Sequence, residues 1–138
     1  MSGRDFLDTN ILVYALDVTE PERHRVAREL VSRAVAGEFV ISTQVLAEFA
    51  ATLLQKFERQ FVHGDVIAIL ESVGPIPLIT PDGDTVRRAV EARAAYGLHF
   101  YDGMIVAAAE RAGSEKIWSE DLKAGERYFG VTVVNPFR

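Results

Sequence analysis

The chain contains no cysteine, which excludes a disulfide framework and thiolate zinc sites and suits a reducing compartment such as the cytoplasm. Although 49% of its residues are hydrophobic, no uninterrupted apolar run approaches the roughly 18 residues that a membrane span requires. Positive charge is in deficit: 15 Lys and Arg stand against 20 Asp and Glu, a net charge of −5. That balance argues against broad electrostatic binding of nucleic acid, which relies on clustered cations. There is no glycine-rich phosphate loop, and His24, His63 and His99 have no mutual ligand spacing. No low-complexity tract, repeat or linker-like stretch marks a boundary. The 138 residues therefore read as one soluble domain, 1–138, able to remove about two-thirds of its unfolded surface from water. The N-terminus lacks the apolar centre and small-residue cleavage site of a secretory signal, and reads as folded structure from its first residues.

Five short segments rich in Val, Ile and Phe, at about 4–8, 39–42, 76–80, 116–119 and 131–134, predict strands. Between them the spacing predicts helices at 21–36, 43–59, 63–73, 82–96 and 101–112. The second of these carries Val45, Phe49, Leu53 and Phe57 at four-residue steps, a narrow core-facing stripe. Alternating strands and helices imply a doubly wound α/β fold around a mainly parallel sheet. In such sheets ligands sit beyond the carboxyl ends of the strands, where strand order reverses.

Four acids lie at the edge of, or within, apolar stretches expected to form core: Asp8, Glu48, Asp102 and Asp121. Buried carboxylates are costly unless they neutralise or meet a cation, and hard oxygen ligands suit magnesium or manganese. Each acid also has an ordinary role open to it. Asp8 and Asp102 sit where helix caps belong, Asp102 in reach of a helix dipole that would lower its pKa. Glu48 has no Lys or Arg within four residues, yet an exposed helical glutamate is common. In Ser119-Glu120-Asp121 two acids compete, and either could cap a helix expected near Leu122. Strand alternation favours Asp121 as the ligand with Ser119 supporting it, and Glu120 in reserve. Thr9 and Asn10 would orient Asp8 or bound water. Arg4, Lys56, Arg59, Arg93, Lys123 and Arg127 are candidates for holding a polyanion near the crevice.

Taken in order, the motifs Phe6-Leu7-Asp8-Thr9-Asn10, Val45-Leu46-Ala47-Glu48-Phe49, Tyr101-Asp102-Gly103-Met104-Ile105 and Trp118-Ser119-Glu120-Asp121 resemble those of the PIN-domain ribonucleases over the whole chain. Within that family the likeness is to the toxin subunits of VapBC-type toxin–antitoxin pairs. The resemblance implies a three-layer α/β/α sandwich with a five-stranded sheet in order 3-2-1-4-5. It implies an acidic pocket for Mg2+ or Mn2+ held by Asp8, Glu48, Asp102 and Asp121, which are also the catalytic set, with Asn10 and Ser119 supporting. It further implies endonucleolytic RNA cleavage, an antitoxin partner and a homodimer.

Two rivals lack residues they need. A phosphoacceptor receiver domain requires Asp at the end of the third strand and Lys after the fifth, where this chain has Ile79-Thr80-Pro81 and Val134-Asn135-Pro136. A haloacid-dehalogenase-type phosphatase requires Asp-x-Asp after the first strand, where Asp8-Thr9-Asn10 stands. A catalytically silent PIN domain that only binds nucleic acid or protein is compatible with the same residues.

Overall fold

The computed structural model describes residues 3–138; Met1 and Ser2, on which part of the expectation of an N-terminus folded from the start falls, lie outside the described residues. The elements in chain order are β1 (Asp5–Leu7), α1 (Thr9–Tyr14), α2 (Pro21–Val35), β2 (Phe39–Ser42), α3 (Thr43–Gln55), α4 (His63–Val73), β3 (Leu78–Ile79), α5 (Gly83–Tyr96), α6 (Phe100–Arg111), β4 (Lys116–Trp118), β5 (Arg127–Tyr128) and β6 (Val131–Val134). Helices on both sides of a central sheet make three layers. No described helix is long and apolar enough to cross a membrane.

The strands are ordered β3-β2-β1-β4-β6-β5. Five of them pair in parallel, Phe6 lying between Val40 and Ile117. The expected order 3-2-1-4-5 holds for these, the expected fifth strand being β6. The sixth strand, β5, was not expected; it pairs antiparallel with β6. The turn between them places Phe129 at φ 48° and Gly130 at φ 82°, the left-handed pair that a tight hairpin requires. Phe129 is held there by Tyr96, whose ring centroid is 5.2 Å away, and by the Arg88 guanidinium 3.5 Å over its ring.

Phe6, Leu7, Ile41, Ile117 and Val133 are buried, as expected of strands covered on both faces. On α3 the stripe of Val45, Phe49 and Leu53 is buried, but the helix stops at Gln55 rather than 59. There the chain turns so that Phe57 enters the core and meets Phe61 at 5.8 Å. No helix begins near Leu122: residues 119–126 form bends and turns instead.

Helices α5 and α6 pack on small residues. A Cβ added at Gly103 would lie 2.8 Å from the carbonyl oxygen of Ala89. Gly103→Ala should therefore push α6 away from α5 and destabilise the fold by about 1–3 kcal/mol, measured as a lowered urea midpoint at unchanged slope.

Candidate active site

Strand β1 lies between β2 and β4, so the chain builds the sheet outward on one side of β1 and then resumes on the other. The carboxyl ends of β1 and β4 flank this reversal, the place where open α/β sheets bind ligands. Asp8 follows β1 directly and Ser119 follows β4. They are tied together there: the Asp8 amide donates to the Trp118 carbonyl at 3.0 Å, and Ser119 Oγ donates to Asp8 Oδ2 at 2.8 Å. The other Asp8 oxygen accepts from the Thr9 amide at 2.8 Å, capping α1. Asp8 thus caps α1 with one oxygen while Ser119 holds the other.

Glu48 projects from α3 toward the same place. Thr9 Oγ1 donates to its Oε2 at 2.8 Å, and Gln44 Nε2, one helical turn earlier, donates to its Oε1 at 3.1 Å. The same Gln44 nitrogen reaches the Tyr101 carbonyl of α6 at 3.0 Å, while Gln44 Oε1 is buried without a donor. Asp102 occupies the first turn of α6, and among the described residues its carboxylate accepts no hydrogen bond.

In the fourth motif the two acids take different surroundings. The Ser119 hydroxyl oxygen accepts from the amides of Asp121, at 3.1 Å, and Leu122, at 3.2 Å, folding the segment into a turn where a helix was expected. Glu120 is turned away and engaged by Tyr14 Oη and Arg23 Nε, each donating at 2.6 Å. Asp121 faces the cleft, where Asn10 Nδ2 donates to its Oδ2 at 3.1 Å; the Asn10 Oδ1 accepts from the Glu120 amide at 3.2 Å. With Asp121 read as a metal ligand, Asp121→Asn is expected to weaken manganese binding at least tenfold at nearly unchanged stability. Glu120→Gln should keep it while lowering the melting temperature, as manganese titration and thermal melts of both variants would read out.

The four carboxylates share one field. Burial pushes Asp8 up to about 6 against the opposing bonds from Ser119 and Thr9, with Asp121 and Glu48 adding repulsion. Asp102 is also raised, by burial first and by Asp121 and Glu48 besides, with His99 opposing. The expectation of a dipole-lowered Asp102 is thus corrected: partial burial beside two acids outweighs the helix terminus.

As the side chains stand among the described residues, no three acidic or histidine groups close to ligand distance on a common point. Neutral donors hold Asp8, Glu48 and Asp121 apart instead. The donor set nevertheless fits a hard divalent cation: every group is a carboxylate, amide or hydroxyl oxygen, and the Gln44 oxygen lacks a donor. A cleft of about 510 Å³ opens beside the acids, lined by Thr9, Asn10, Tyr14, Glu48, Lys56 and Asp121 among others. Of the cations expected at the crevice, Lys56 lines this cleft. Arg4 lies at the opposite end of β1, its Nε donating to the Gly37 carbonyl at 2.6 Å.

A family model described as the PIN domain matches residues 6–129. The chain belongs to the PIN-domain family. Among solved structures, this PIN domain is similar to a chain of a toxin–antitoxin complex from Klebsiella pneumoniae, at 22% identity and TM-score 0.70, covering 96% of this chain and 97% of that one. It is similar to a chain of DNA-bound VapBC from Salmonella typhimurium, at 20% identity and TM-score 0.69 over 96% and 97% of the two chains. It also resembles Mycobacterium tuberculosis VapC20, a sarcin-ricin-loop-cleaving toxin, at 18% identity and TM-score 0.66 over 85% and 89%. At these identities the likeness is one of fold. No curated protein sequence matches the chain.

Proposed function

We propose that this PIN-domain protein is a divalent-metal-dependent endoribonuclease, with residues 1–138 as its nuclease domain. The observation that carries the reading is the gathering of Asp8, Glu48, Asp102 and Asp121 at the sheet's reversal point, where burial first, and repulsion from Asp121 and Glu48 besides, raise Asp8 and Asp102 above their ordinary values. Groups so perturbed, beside a cleft that Glu48 and Asp121 line, are candidates for a functional site.

Asp8, Glu48, Asp102 and Asp121 would hold Mg2+ or Mn2+. A bound ion supplies Lewis acidity toward a phosphodiester and an acidified water. The chain's own contribution is orientation. Ser119 and the Thr9 amide fix both oxygens of Asp8, Thr9 Oγ1 and Gln44 fix Glu48, and Asn10 fixes Asp121. Asp102, raised in pKa and accepting no hydrogen bond among the described residues, is the carboxylate best placed to take a proton from an attacking water.

The similar structures named as toxin–antitoxin and VapBC assemblies support a finer reading, the toxin of such a pair restrained by an antitoxin, and with it we propose a cytoplasmic homodimer. The test is cleavage of a mixed RNA pool with magnesium or manganese, with and without chelator. Cleavage that the chelator stops is expected. Cleavage indifferent to chelator would overturn the metal mechanism, and no cleavage with any metal would leave the binding-module reading.

A further inference from the structure

The cleft beside the acids contains one cation among the described residues that line it, Lys56. It lies at the C-terminal cap of α3, eight residues after Glu48, so the two share a helix face about 12 Å apart along the axis. Lys56 Nζ is 3.2 Å from Asp17 Oδ2; the Asp17 side chain is 5% exposed and that of Lys56 57%. The second Asp17 oxygen accepts from both the amide and the hydroxyl of Thr19. Asp17 is thus an anchor fixed by the backbone that follows α1, and the Lys56 ammonium bonded to it has three donors, of which this contact uses one. The Phe57 ring 5.5 Å from Nζ borders it on another side. A buried carboxylate spent on pinning an exposed ammonium gives that cation a defined position at the mouth of an acidic cleft in an acidic protein.

We infer that Lys56, positioned by Asp17, binds a backbone phosphate flanking the scissile one in an RNA strand laid along the α3 face. This rests on the nuclease reading for the identity of the strand. The contact is to phosphate alone, so it supplies affinity and register without base preference. It also offsets the repulsion that four acids and a net charge of −5 impose on an approaching polyanion.

The test compares wild type, Lys56→Met and Lys56→Arg. Anisotropy of a labelled mixed-sequence single-stranded RNA measures affinity against salt concentration in chelator, and cleavage in manganese gives kcat and KM. Lys56→Met should raise Kd and KM about fivefold at low salt with kcat within about twofold, and reduce the log–log salt slope by about 0.7, one phosphate on a single strand. Lys56→Arg should restore the slope. A purely structural ion pair would lower the melting temperature of Lys56→Met and leave the slope alone, and that result overturns the inference. Cleavage by wild type with unchanged KM and slope in Lys56→Met overturns it while the nuclease reading stands. Binding that depends on Lys56, without cleavage under any metal, upholds the contact and removes the nuclease reading. Wild type that neither binds nor cleaves RNA overturns both.

Discussion

Asp8→Asn is expected to abolish RNA cleavage, by about 10³-fold, and at the same time to stabilise the metal-free protein at pH 8. The loss of rate follows from removing one anionic ligand from a site asked to supply several kcal/mol of transition-state stabilisation, each 1.4 kcal/mol being about tenfold. The gain in stability follows from linkage. Asp8 holds its proton more tightly in the fold, at about 6, than at the ordinary value of 3.8, so the ionised carboxylate opposes folding. That penalty is absent below about pH 3.8, grows through the interval and is complete above about pH 6. A shift of about two units corresponds to about 3 kcal/mol. Asparagine recovers only part of it, about 1–2 kcal/mol, because its single oxygen cannot accept from both Ser119 and the Thr9 amide as the carboxylate does. Urea melts in chelator at pH 5 and pH 8 should show the variant's advantage growing with pH. A variant no more stable than wild type at pH 8 would contradict the assigned electrostatics.

Ser119→Ala should damage both fold and site. The Ser119 hydroxyl is fully buried, donates to Asp8 and accepts from two backbone amides. Its removal leaves three groups to find other partners, at a cost of about 2–3 kcal/mol. Cleavage should fall a further 10- to 100-fold, as expected when the support of a metal-holding side chain is lost. Ser42→Ala is the matched control. Ser42 is equally buried and caps α3 through the Val45 amide, so it should cost about 1 kcal/mol and leave cleavage intact when measured well below the melting temperature.

What could be read from the sequence was set by local periodicity. The strand ending at Asp8 and the α3 stripe of Val45, Phe49 and Leu53 follow from side-chain spacing alone, and the alternation of elements gives a parallel sheet whose reversal point lies at Asp8. Gln44 is marked by the same spacing, one turn before Glu48. The misses lie where tertiary contacts overrule local signals. The turn after β4 depends on one hydroxyl accepting two amides while facing Asp8, so Ser119 looked like the end of a strand before a helix. The β5–β6 hairpin turns through Phe129-Gly130 rather than through the Asn-Gly or Asp-Gly that signals such a turn; Arg88 and Tyr96, distant in sequence, hold Phe129 there. The raised pKa of Asp102 has the same origin, since it follows first from burial by the fold and then from acids on α3 and the loop after β4.

The claim on which the rest depends is that these four acids form one divalent-metal site, although their side chains are held apart by neutral donors. Calorimetric titration of the chelator-treated protein with manganese near neutral pH tests it most directly, run on wild type and on Asp8→Asn, Glu48→Gln, Asp102→Asn and Asp121→Asn in parallel. Saturable binding by wild type is expected, weakened at least tenfold by each single substitution and lost at pH 5 as Asp8 takes up its proton. Binding by wild type that survives all four substitutions unchanged would contradict it.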